Sequence, residues 1–214
     1  MLTGAVTRRL ALLAVPLTLF VAGCTGNPAD DPAPKRTAVA ERPSPFRDCA
    51  ALSTAPTAGT PSPGAVSASP AAGGPELPAL TLPCFTGGAP VALRDVAGPA
   101  VINVWASWCG PCRKELPAFQ RLSERTAGRL QVVGVNTRDS RSGAQSIGED
   151  FGVRFPVLVD QGDALQRELR RNAFPLTLFV DAAGRIRHVD ATGALDDAQL
   201  STLVREHLGV AVPA

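Results

Sequence analysis

From residue 80 onward, apolar positions follow two periods in turn. Leu80-Thr81-Leu82 and Val91-Ala92-Leu93 read as short strands around a Gly87-Gly88 turn. Ala100 to Ala106 is a mostly β-branched apolar run, suited to a central strand buried on both faces. Residues 111–127 read as a helix with Leu116 and Phe119 facing inward, and Gln131 to Asn136 as the next strand. Ala144, Ile147 and Phe151 fall at helical spacing, although Gly143 and Gly148 weaken that helix. Val157 to Asp160 predicts a short strand and Ala164 to Arg171 a short helix. Leu176 to Val180 and Arg185 to Val189 predict a hairpin across Asp181-Ala182-Ala183-Gly184. In the last helix Asp196 caps, Gln199 lies three residues on, Leu200, Leu203, Val204 and His207 share a face, and Gly209 ends it. Alternating strands and helices predict an α/β fold, with helices packed on a mixed β-sheet.

The first 78 residues follow another logic. Arg8 and Arg9 precede an apolar run from Leu10 to Ala22, then Gly23 and Cys24. A basic start, a short apolar stretch and small residues describe a secretory signal peptide, residues 1–23. The run is about a dozen residues, and a membrane-spanning helix needs roughly 20. Val21-Ala22-Gly23-Cys24 resembles the bacterial lipobox, which implies acyl chains on Cys24; an ordinary signal peptide with a chance cysteine is the alternative. Eleven of the twenty prolines fall between residues 25 and 78, so residues 24–77 are expected to be a Pro/Ala-rich tether and 78–214 the folded domain. Formal charge is +2, and setting Arg8 and Arg9 aside leaves 19 basic residues against 19 acidic. No nucleic-acid partner is expected from that balance.

The five cysteines carry the chemistry. Trp108-Cys109-Gly110-Pro111-Cys112 places two of them directly after a buried strand, at the start of a helix whose first turn holds Pro111. Disulfide exchange needs a thiolate nucleophile and a second thiol within reach. Unpaired N–H groups and the positive dipole end at a helix N-terminus stabilise the Cys109 thiolate, lowering its pKa below the free value of about 8.5. Cys112, one turn deeper, can attack a mixed disulfide and release the partner. Structural zinc needs about four ligands. The chain has no second Cys-x-x-Cys, and its two histidines, His188 and His207, lie on a predicted strand and a helix face. No metal and no cofactor beyond a redox-active disulfide are expected; an inert structural disulfide is the other alternative.

Asn103 through Pro117, with Trp105-Ala106-Ser107-Trp108-Cys109-Gly110-Pro111-Cys112 at its centre, resembles the TlpA/ResA/DsbE-like branch of the thioredoxin superfamily. The resemblance runs over about residues 78–209 and implies a thioredoxin-like fold with an extra N-terminal β-hairpin. Pro117 matches a helix-kinking proline of that superfamily. Phe155-Pro156-Val157-Leu158-Val159-Asp160 matches a further recurrent block. Phe174-Pro175 matches the segment with a cis-proline facing the redox pair, where the preceding residue binds substrate through its backbone. Phe174 is larger than the residue expected there. Trp108, Phe174 and Pro175 are therefore the expected substrate-binding residues. Asn103 stands where thioredoxins carry a buried aspartate, and cannot accept a proton from Cys112. By resemblance to the ResA-like members, Asp139 is the candidate acid/base, with a helix-capping role as its alternative.

Cys49 and Cys84 remain. In an oxidising compartment two leftover cysteines pair, so a structural Cys49–Cys84 disulfide is expected, with a second redox relay as the alternative. The resemblance implies a thiol–disulfide oxidoreductase lipid-anchored at the outer face of the bacterial cytoplasmic membrane. It would reduce exported cysteine-containing proteins, including apocytochrome c, with electrons from a CcdA-like membrane thiol relay. A disulfide-forming oxidase and a non-catalytic partner-binding lipoprotein are the alternatives. A peroxidase would need a Pro-and-Thr motif ahead of a lone reactive cysteine.

Overall fold

The computed structural model describes residues 42–56 and 73–213. The expected signal peptide, Cys24 and most of the expected tether lie outside the described residues. Strands β1 (Thr81–Leu82) and β2 (Val91–Ala92) pair antiparallel, as the N-terminal hairpin requires. They precede β3 (Ala100–Trp105), α1 (Gly110–Arg125), β4 (Gln131–Thr137), α2 (Arg141–Asp150) and β5 (Val157–Asp160). Then come α3 (Ala164–Glu168), β6 (Leu176–Val180), β7 (Ile186–Asp190) and α4 (Asp197–Leu208). The main sheet runs β5-β4-β3-β6-β7. β3 pairs parallel with β4, and β4 with β5, while β6 lies antiparallel to both β3 and β7. This is the mixed sheet of a thioredoxin-like fold, and its central strand is the one with the most apolar sequence.

Every residue of β3 is buried, and alternation sends its side chains into two cores. Val101 and Trp105 join Leu116 and Phe119 of α1, and Leu200 and Val204 of α4. Ala100, Ile102 and Val104 join Leu165 of α3 and a cover of Leu52, Leu77, Leu82 and Leu93 from the N-terminal segments. The termini of α4 are set by local chemistry. Asp196 and Gln199 form a reciprocal capping box, and Gly209 closes the helix with φ 66°, a conformation that glycine adopts without steric cost.

The N-terminal cover corrects the expected domain boundary. The compact unit begins at Arg42, not at residue 78. Phe46, 4% exposed, meets the Phe85 ring edge-on with centroids 4.8 Å apart. The Gln131 amide donates to the carbonyls of Leu52, Thr54 and Ala97, each at 3.0 Å. Ile186 N–H donates to the Pro75 carbonyl at 2.8 Å. The reason is that β3 exposes two apolar faces, and the helices leave part of one uncovered. A few apolar residues dispersed among Pro, Ala and Ser suffice to cover it, although the average composition of the stretch hides them. Cys49 and Cys84 are joined in a disulfide, Cα–Cα 6.0 Å, which ties this cover to the loop after β1.

Two outcomes are expected. Phe46→Ala should destabilise the domain by about 3 kcal/mol in chemical denaturation, as a buried phenylalanine does; a tether residue would leave the midpoint unmoved. Replacing Cys49 and Cys84 together by serine, which opens a loop of sequence separation 35, should cost about 3–4 kcal/mol in the chain-entropy picture.

Candidate active site

β3 ends at Trp105, and a short loop carries the chain into α1. Cys109 N–H donates to the Ala106 carbonyl at 3.1 Å, which closes that loop. Cys109 is the N-cap of α1: its backbone is extended, and its Sγ accepts from Cys112 N–H at 3.1 Å. Pro111 occupies the first turn, where no donor is needed. Cys109 and Cys112 form a disulfide with Cα atoms 5.3 Å apart. When that bond opens, the N–H at the helix start already faces the sulfur that becomes negative. The pair is buried, but its neighbour Trp108 is 56% exposed.

Trp108 and Phe174 make one rim. Their rings meet edge-on, centroids 5.1 Å apart, and the Trp108 indole N–H donates to the Arg138 carbonyl at 3.0 Å. The Arg138 guanidinium lies over the Phe174 ring, 5.1 Å from its centroid. The Phe174–Pro175 peptide bond is cis, as is Gly98–Pro99, which the sequence reading did not single out. The structure thus brings Trp108, Arg138 and Phe174 together beside the cysteines.

Asp139 sits beside the redox loop. One oxygen accepts from Ser107 N–H at 2.5 Å and Asn136 Nδ2 at 2.8 Å. The other accepts from Ser107 Oγ at 2.6 Å and Ser140 N–H at 2.8 Å. Four donors hold this carboxylate in place, and the contact nearest the chemistry is Ser107, two residues before Cys109. The geometry makes Asp139 the clasp between the β3–α1 and β4–α2 loops.

A different carboxyl lies below Cys112. Glu115 is three residues further along α1, hence on the same face, and is 1% exposed. Its Oε1 accepts from Asn103 Nδ2 at 2.6 Å and its Oε2 from Leu195 N–H at 3.1 Å. Burial pushes its pKa from 4.5 up to about 7, against the opposing pull of the Leu195 and Asn103 hydrogen bonds, with a further upward push from Asp190. Asn103 Oδ1 is buried with no partner. Rotating the Asn103 amide by half a turn would let a protonated Glu115 donate to that oxygen. Asn103 can therefore offer Glu115 a hydrogen-bond partner in either protonation state, one turn from Cys112.

Sequence reasoning passed over Glu115 although a signal existed. The inward positions Leu116 and Phe119 put residues 112, 115, 116 and 119 on one stripe, so the spacing already turned Glu115 toward the core. Elsewhere, His188 and His207 stack face to face with centroids 4.2 Å apart, packed on Phe179. Among the described residues no cluster of three or more metal-ligating side chains occurs.

The sign of the Glu115 effect on stability follows from its raised folded-state pKa. Its contribution is complete below about pH 4.5 and is lost as pH rises through about 7. Glu115→Gln removes the titration. Between pH 5 and pH 8 the wild type should therefore lose roughly 2–3 kcal/mol relative to the variant, read from urea unfolding of the oxidised protein at both values. Parallel pH profiles would show that Glu115 ionises as freely in the fold as outside it.

Comparison with known proteins agrees with this geometry. The sequence profile of the AhpC/TSA family matches residues 74–189. The thioredoxin-like protein YneN of Bacillus subtilis is 30% identical over 120 residues, which span 54% of this chain and 69% of YneN. The thiol-disulfide oxidoreductase ResA of the same organism is 29% identical over 118 residues; the match spans 54% of this chain and 65% of ResA, slightly under two thirds of its length. The crystal structure of a putative thiol:disulfide interchange protein DsbE from Chlorobium tepidum superposes with a TM-score of 0.57 at 26% identity, covering 64% of this chain and 97% of that one. With more than half of its length matched by the family profile, and with a thioredoxin-like fold, the chain belongs to the AhpC/TSA family.

Proposed function

We propose that this protein is a thiol–disulfide oxidoreductase of the ResA and DsbE type, which reduces disulfides of exported proteins through Cys109 and Cys112. The observation that carries the reading is the Cys109–Cys112 disulfide in the first turn of α1, where Cys112 N–H caps the Cys109 sulfur. The similarity to ResA of Bacillus subtilis supports it.

In the reductive direction the Cys109 thiolate attacks one sulfur of a substrate disulfide. A Cys109–substrate S–S bond forms, and the second substrate sulfur leaves as a thiolate that takes a proton. Cys112, losing its proton, then attacks Cys109 Sγ, which forms the Cys109–Cys112 disulfide and frees the remaining substrate thiol. Two electrons have passed to the substrate, and an external dithiol must return them. Glu115 is the group placed to receive the Cys112 proton. With a pKa of about 7 it is near the optimum for a general base at neutral pH. Asp139 acts one step removed, by fixing Ser107 and so the loop that presents Cys109. Trp108 and Phe174 form the apolar wall against which a substrate segment lies, and the cis bond to Pro175 follows Phe174 directly.

The setting is part of the proposal. Cys24 carries the lipid that holds the protein at the outer face of the cytoplasmic membrane. A CcdA-like membrane thiol relay supplies the electrons, and apocytochrome c is among the substrates. Among the described residues no helix is long and apolar enough to cross a membrane.

The test is a trap. Cys112→Ala should accumulate mixed disulfides on Cys109, identifiable by mass spectrometry as exported proteins that arrived oxidised. Partners that arrived reduced would reverse the direction, and an empty trap would remove the enzymatic reading. A kinetic test isolates Glu115: the rate at which a preformed mixed disulfide on Cys109 is resolved should rise with pH to a plateau above about 7, the Glu115 value. Glu115→Gln should remove that step and leave the titration of the thiol itself. An unchanged profile would contradict the proton-acceptor role.

A further inference from the structure

Beside the aromatic rim lies a cleft of about 360 Å³ whose walls include Arg138, Arg167, Arg170 and Arg171, with Asp163 as its acidic member and Gln166 among its lining residues. Asp163 is already engaged by two of these cations. It pairs with Arg167 one helical turn on, and with Arg138 at 3.6 Å. Arg170 and Arg171 are exposed, and neither guanidinium has an ion-pair partner among the described residues. Four guanidinium groups on one carboxylate leave an excess of positive charge in a concave site, where fields are focused.

The cleft is joined to the redox site by covalent and hydrogen-bonded links. Arg138 belongs to both: its carbonyl holds the Trp108 indole, its guanidinium covers Phe174, and it reaches Asp163. Arg171 stands three residues before Phe174, at most about 11 Å along the chain. Gln166, buried, donates through Nε2 to the Ala173 carbonyl at 2.7 Å and so fixes the strand of chain that connects the arginines to the rim.

We infer that this cleft is a substrate-docking site that selects acidic residues flanking the reactive cysteine of a protein substrate. The inference rests on the oxidoreductase reading of Cys109 and Cys112. The Arg138 guanidinium covers the Phe174 ring and Arg171 stands three residues from it, so the residues flanking a substrate cysteine at Cys109 are the ones the arginines meet. Guanidinium forks bind carboxylates bidentately, and the long-range field raises the encounter rate. A peptide is favoured over an anionic membrane surface because the charge lines a concavity that shares Arg138 with the aromatic rim.

The experiment uses the reduced protein and three synthetic peptides, each closed by an internal disulfide and flanked by Glu, Gln or Lys residues. Hydroxyethyl disulfide serves as an uncharged small substrate. At low ionic strength the Glu-flanked peptide should be reduced about tenfold faster than the Gln-flanked one, and the Lys-flanked peptide more slowly than either. The preference should shrink toward one at about 0.5 M salt and in the double variant Arg170→Gln, Arg171→Gln, whose positions are exposed. Equal rates on the three peptides, with hydroxyethyl disulfide still reduced, would overturn this inference alone. So would a preference that survives in the double variant, or arginine-dependent binding to anionic phospholipid vesicles without any peptide preference. Failure to reduce hydroxyethyl disulfide would overturn the oxidoreductase reading, and this inference with it.

Discussion

A buried carboxyl group with no ion-pair partner among the described residues is the constraint around which the active site is arranged. Glu115 hangs from α1, takes a hydrogen bond from Asn103 of β3 and another from Leu195, just before α4. One side chain therefore links the central strand, the redox helix and the approach to the last helix. Ionised, it would be a charge in a core held by two neutral donors, which is costly. Protonated, it fits a site where Asn103 still has an acceptor to offer. The fold resolves this tension with a carboxyl pKa raised to about 7, one turn below Cys112, the cysteine that loses a proton in the proposed reaction.

The rest of the architecture keeps that arrangement dry and fixed. β3 is buried on both faces, so its end, and the loop to Cys109, cannot drift without disturbing two cores. One core is closed by α1 and α4. The other is closed partly by N-terminal segments pinned through the Cys49–Cys84 disulfide. Asp139 performs the corresponding task at the loop itself through its four donors. The exposed Trp108 and the half-buried Phe174 then form an aromatic rim beside the redox pair.

Most of this frame was legible in the sequence, for physical reasons. Strands such as 100–106 and 176–180 are short, β-branched and bounded by turn residues, so period and length agree. The capping box at Asp196 and Gln199 and the stop at Gly209 are local chemistry, readable without tertiary knowledge. The redox pair was visible from its spacing at a strand-to-helix junction, and the Phe174-Pro175 segment through its resemblance to the family. What escaped depends on burial that no local pattern reports. Composition over 24–77 suggested a tether, yet Phe46, Cys49, Leu52 and Leu77 are core residues supplied to a face that distant strands create. Glu115 was not singled out, since a glutamate on a helix is usually a surface charge, and only its stripe with Leu116 and Phe119 argues otherwise. Asp139 was placed beside the active site by resemblance, but its bonding partners are set by a loop packing that the sequence does not state.

The most direct measurement is the ionisation of Glu115 itself. Carbon-13 NMR of the side-chain carboxyl, followed against pH in the oxidised protein, reports the proton at that one group. A midpoint near 7, as the burial of Glu115 dictates, is the predicted result. A midpoint near 4.5, the ordinary glutamate value, would contradict the account, since Glu115 would then be a carboxylate at neutral pH and not a holder of the proton.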